Sequence, residues 1–120
     1  MKLNKTLAAC AVAVALSACA SQPTVTAPHQ WGSAVRNAVS CDQHLRLAEH
    51  YEDIAKTLET DAQEEREMLD AYQATPWKYG KRIHDLKARG SDMVSDLEKA
   101  IGDSRKMAEF HRQMATEAKK

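Results

Sequence analysis

Ala74-Thr75-Pro76-Trp77 decides the fold of this chain. Pro76 is the only proline after Pro28, and it cuts a long run of helix-forming residues in two. Proline lacks the N–H that a helix interior needs, and its ring clashes with the preceding turn. It is accommodated at the first position of a new helix. Thr75 before it reads as an N-cap, so the stretch predicts one helix ending near Ala74 and another starting just beyond. Gly80 weakens the new first turn, which lets the second helix settle near Lys81.

Upstream, residues 33–74 contain no Pro and no Gly. Two heptad rows run through them, His44/Tyr51/Leu58/Glu65/Tyr72 and Leu47/Ile54/Asp61/Met68. A row of small residues runs beside these: Ala34, Cys41, Ala48, Ala55, Ala62, then Leu69. Apolar residues at this spacing predict one amphipathic helix over about 33–74. Downstream, Ile83/Gly90/Leu97/Ser104/His111/Ala118 and Tyr79/Leu86/Met93/Ala100/Met107/Met114 predict a second over about 79–118, flanked by Val94, Ile101, Ala108 and Ala115. Gly90 continues its row without a break, which favours a glycine facing the partner helix over a helix end. Gly102 falls off the row.

Two long helices on a short turn predict an all-α fold, an antiparallel two-helix hairpin. Charge agrees: residues 33–74 carry ten acidic and four basic residues, whereas 77–120 carry seven acidic and eleven basic. A turn centred near residue 75 or 76 pairs Tyr72 with Tyr79, Leu58 with Met93, Tyr51 with Ala100 and Glu65 with Leu86. That pairing leaves the alanine row and Val94, Ile101, Ala108 and Ala115 as a second, uncovered stripe. A lone hairpin buries too little surface to be stable. Dimerisation into a four-helix bundle, or docking on another protein, is therefore expected.

The N-terminus reads as an address. Met1-Lys2-Leu3-Asn4-Lys5 is basic, an apolar run follows from Thr6, and the run closes on Leu16-Ser17-Ala18-Cys19. The order is that of a secretory signal peptide. The run is about 13 residues, short of the roughly 20 needed to span a bilayer. Its end resembles the lipobox of bacterial lipoproteins. The resemblance implies cleavage after Ala18, an S-diacylglycerol and an N-acyl group on Cys19, and a membrane anchor of lipid alone. The organisation expected is a signal peptide over 1–18, a lipidated flexible tether over 19–32 and a hairpin domain over 33–120. The tether holds Pro23 and Pro28 among small polar residues and reaches roughly 20 Å as a coil. Trp31, near its end, suits either packing on the hairpin or a membrane interface. Ala20 stands where inner-membrane lipoproteins of enteric type often carry Asp, so the resemblance implies the periplasmic face of the outer membrane.

Removing 1–18 takes Lys2, Lys5 and Cys10 with it, leaving 15 basic and 17 acidic residues. That balance gives no electrostatic case for nucleic acid. Cys41 is then the only unmodified thiol, so no intrachain disulfide is expected. Lys120 after a helical lipoprotein is similar in placement to the terminal lysine of the murein lipoprotein. The proline-broken hairpin differs from that continuous coil, and a lysine there also suits the helix dipole. No peptidoglycan link is assigned to it.

The expected pairing gathers soft ligands at the open end: Cys41 and His44 on the first helix, Met107, His111 and Met114 on the second. Thiolate, thioether and imidazole favour Cu(I), so a copper or heavy-metal holder is the alternative function. The competing reading is structural, with Cys41 as a small apolar residue and both methionines as core filler. Catalysis is not expected: His-Glu-x-x-His, the Glu-x-x-His pair of di-iron bundles and Gly-rich phosphate loops are all absent. His50 beside Glu49 and His84 beside Asp85 read as solvated face residues.

Overall fold

A computed structural model describes residues 30–118. The expected signal peptide, Cys19, most of the expected tether and Lys120 lie outside the described residues. Three α-helices follow in order: α1 over Trp31–Asn37, α2 over Cys41–Ala74 and α3 over Ile83–Glu117. Helices α2 and α3 pack along each other as a hairpin, and α1 rests on the start of α2. No strand occurs among the described residues.

The first long helix does not run from residue 33. It begins at Cys41, because Ser40 adopts an extended conformation and caps it. The Gln43 N–H donates to Ser40 Oγ, and the Gln43 side-chain oxygen accepts from the Ser40 and Val39 N–H groups. This capping box satisfies donors that a helix start leaves orphaned. The upstream residues form α1 as a separate seven-residue helix that starts at Trp31, inside the expected tether.

The turn is longer than Thr75-Pro76 alone. Thr75 closes α2 rather than capping α3: its N–H and its hydroxyl both donate to the Ala71 carbonyl. Two 3-10 turns follow, Pro76–Lys78 and Gly80–Arg82, with Tyr79 between them. Gly80 has φ +56°, a left-handed conformation open to glycine at little strain. Helix α3 therefore starts at Ile83, and the centre of the hairpin moves towards Tyr79.

That shift resets the register. The expected Tyr72–Tyr79 contact is present as an edge-on ring pair, centroids 5.1 Å apart, but Tyr79 makes it from the turn. Further along, Leu69 faces Gly90, and Arg66, Glu59 and Glu52 pair with Glu98, Arg105 and Arg112. These partners lie eight to thirteen residues further along α3 than a turn centred on residue 75 or 76 places them.

The seam is also rotated. Ala48, Ala55 and Ala62 are buried, as are Ile101, Ala108 and Ala115. These belong to the stripe expected to remain uncovered, and here they form the helix–helix interface together with Gly90 and His111. The rows His44/Tyr51/Leu58/Tyr72 and Leu97/Ser104 are half-buried beside them. Small side chains in register allow two helix backbones to approach closely, which raises dispersion contact along the whole length. Gly90 sits within an unbroken α3 and faces α2, as its heptad position indicates.

Candidate functional site

The open end of the hairpin holds the most distinctive side-chain cluster. His44 lies in the first turn of α2 and His111 two turns before the end of α3. Their Nδ1 atoms are 3.2 Å apart, a hydrogen bond in which one ring donates and the other accepts. The Tyr51 ring lies nearly parallel to that of His111, centroids 5.6 Å apart. His111 is 5% exposed, the one buried polar side chain among the described residues. Burial, and then the neighbouring His44, hold its pKa below the ordinary histidine value.

Of the five soft-ligand candidates, the hairpin brings His44 and His111 together directly, not His44 to Met107 or Cys41 to His111 as the shorter turn implied. Cys41 is half-buried and lines a shallow groove with Leu45, Arg112 and Ala115. Met107 and Met114 are both 38% exposed on the face of α3. Among the described residues, no group of three or more His, Cys, Asp or Glu side chains is placed to hold a metal ion. His50 is not a free face residue: the Trp31 indole stacks on its ring, centroids 3.7 Å apart and 15° from parallel. That stack fastens α1 to α2, and Ala34 and Leu47 line the groove between the two helices.

The two edges of the hairpin differ. Glu52–Arg112, Glu59–Arg105 and Arg66–Glu98 form a heptad-spaced ladder of cross-helix ion pairs along one edge. In an antiparallel pair, the residues on the other side of the seam at the same repeat are Leu47, Ile54, Asp61 and Met68 on α2, and Met93, Ala100, Met107 and Met114 on α3, with Leu47 buried and Asp61 exposed. Met68, Met93, Met107 and Met114 keep 38–48% of their surface exposed. One edge is thus polar and internally paired, and the other is apolar apart from the exposed Asp61. The separate heptad rows are visible in sequence, but which two adjacent rows form the seam is not, and so neither is the character of the edges. The Ser40-x-x-Gln43 box was a legible signal that the heptad count passed over.

No helix among the described residues is long and apolar enough to cross a membrane. No protein-family model, no curated protein and no solved structure matches the chain.

Proposed function

We propose that the chain is a lipid-anchored protein of the bacterial envelope, acylated at Cys19 on the periplasmic face of the outer membrane, whose hairpin serves as a non-enzymatic interaction module. The anchor rests on Leu16-Ser17-Ala18-Cys19. The observation that carries the module is the unequal pair of edges. Three ion pairs occupy one edge within the chain, while the other leaves Met68, Met93, Met107 and Met114 exposed. Methionine is flexible and polarizable, which suits an adaptable docking surface. The seam is built largely from alanine, so its apolar burial is small, and a partner on the methionine edge would add to it. The partner is either a second copy, giving a four-helix bundle, or another envelope protein.

A photo-crosslinking residue at position 93 tests this in cells. A discrete adduct from position 93, and none from exposed Lys99, is the expected result. No adduct from position 93, or equal labelling from both, rejects the edge. Sedimentation of a Cys19→Ser chain at micromolar concentration separates the partners, because a monomer there rejects the second-copy form.

The approach of His44 to His111 favours a second reading, a holder of Cu(I) drawing on Cys41, Met107 and Met114 as further ligands. Imidazole, thiolate and thioether are donors suited to that ion. Anaerobic Cu(I) titration should give one-to-one binding that a His44→Leu, His111→Leu variant loses. Unchanged binding by that variant rejects the site.

A further inference from the structure

Large exposed apolar side chains gather at the open end of the hairpin. Trp31, Val35, Val39, Leu45, Met107 and Phe110 are 38–77% exposed. They come from α1, from its link to α2, from the first turn of α2 and from the last turns of α3. At 1.5 Å per residue, Leu45, Met107 and Phe110 lie within about 15 Å of that end, and so does His50, on which Trp31 stacks. The opposite end carries Trp77, with Lys78, Lys81 and Arg82 exposed around it. Trp31 keeps this exposure although one face of its indole stacks on His50. Exposed apolar surface of this kind marks a place where another apolar phase is met.

The length of chain ahead of α1 indicates which phase. Residues 19–29 separate Cys19 from Gln30, and a coil of that length reaches roughly 20 Å. It enters the fold at Trp31, the same end that carries the apolar side chains. A lipid on Cys19 therefore holds this end close to the leaflet, at an effective concentration that makes weak contacts sufficient. Tryptophan is enriched at membrane interfaces, and an interfacial face settles about 5–10 Å into the headgroup–acyl boundary.

We infer that the open end of the hairpin, through Trp31, Val35, Val39, Leu45, Met107 and Phe110, docks on the lipid surface that carries the Cys19 anchor. The inference rests on the lipid-anchor reading above. Docking by this end sets the rod end-on. The turn then stands off by about 50 Å, the length of the 34-residue α2. Met68 and Met93 are held away from the membrane, where a soluble partner reaches them.

The chain has two tryptophans, Trp31 and Trp77, one at each end. The test uses the full lipidated chain in vesicles of phosphatidylethanolamine and phosphatidylglycerol with brominated acyl chains, with intact mass recording the lipid on Cys19. In a Trp77→Phe chain, Trp31 emission should fall about twofold or more, as for a side chain settled in the boundary region. In a Trp31→Phe chain, Trp77 emission should be unchanged. A Val39→Glu, Phe110→Glu chain with unaltered helix content should lose the Trp31 quenching. An unquenched Trp31 in a chain of lipidated mass overturns docking and leaves the anchor standing. Quenching of both tryptophans overturns the end-on arrangement. A chain recovered from membranes at unmodified mass overturns the anchor and the inference with it.

Discussion

The Nδ1 of His111 can bond to the Nδ1 of His44 at 3.2 Å only if at least one of the two rings is neutral at that nitrogen. Two protonated rings would set two donors against each other in a seam where His111 is nearly free of solvent. Burial first, and the charge of His44 second, lower the His111 pKa in the folded chain. A group whose folded pKa lies below its unfolded value binds more protons when unfolded, so its contribution to stability is present at higher pH. That contribution is full above the unfolded value of about 6.5 and is lost as pH falls through it towards the lowered folded value. The hairpin should therefore melt at lower temperature at pH 5 than at pH 7.5. His111→Phe keeps an aromatic ring against Tyr51 and should flatten that dependence. Thermal melts followed by circular dichroism decide it, and an equal pH dependence in both chains would remove His111 as the cause.

At the scale of elements, the three glycines of the hairpin separate by what surrounds them. A Cβ at Gly102 meets nothing within 4 Å, so Gly102→Ala should stabilise by about 1 kcal/mol through helix propensity alone. A Cβ at Gly90 meets Leu69 at 3.4 Å, an ordinary contact, so Gly90→Ala should also stabilise, by about 0.5–1 kcal/mol. Gly80 has space but a left-handed φ of +56°, and Gly80→Ala should destabilise by about 1–2 kcal/mol. Urea denaturation of the three variants checks the signs. Stabilisation by Gly80→Ala would mean that the second 3-10 turn is not needed. The two long helices and the break at Pro76 were readable because helix periodicity and proline are local signals. The length of the turn was not readable, because it depends on Thr75 bonding backwards to Ala71 and on Gly80 turning left-handed, and each residue also fits another role. Ser40 was readable too: Ser-x-x-Gln ahead of an apolar row is a start signal even where the heptads run on at either side.

Over the whole molecule, what holds the hairpin follows from which row became the seam. Large side chains such as Tyr51, Leu58 and Met93 offer more apolar area, so an area argument from sequence places them at the centre. The chain instead centres Ala48, Ala55, Ala62, Ala108 and Ala115, and the larger residues flank them or stay exposed. Close backbone approach along a helix of 34 residues sums many small dispersion contacts, and that sum depends on every position at once. The ion pairs beside the seam are solvent-exposed and contribute about 0–1 kcal/mol each, so they align the helices more than they bind them. Ala62 has no solvent exposure, and Ala62→Leu should force the helices apart there at a cost of about 1–3 kcal/mol. Leucine on an uncovered stripe would do the opposite, since its helix propensity nearly matches that of alanine and any partner pocket would gain area. The denaturation midpoint of Ala62→Leu thus distinguishes the two placements of the alanine row. A fall, with Met93→Leu near neutral in the same assay, is the outcome for an alanine seam between α2 and α3. A midpoint that stays or rises returns the alanine row to the surface and moves the seam back to the large residues.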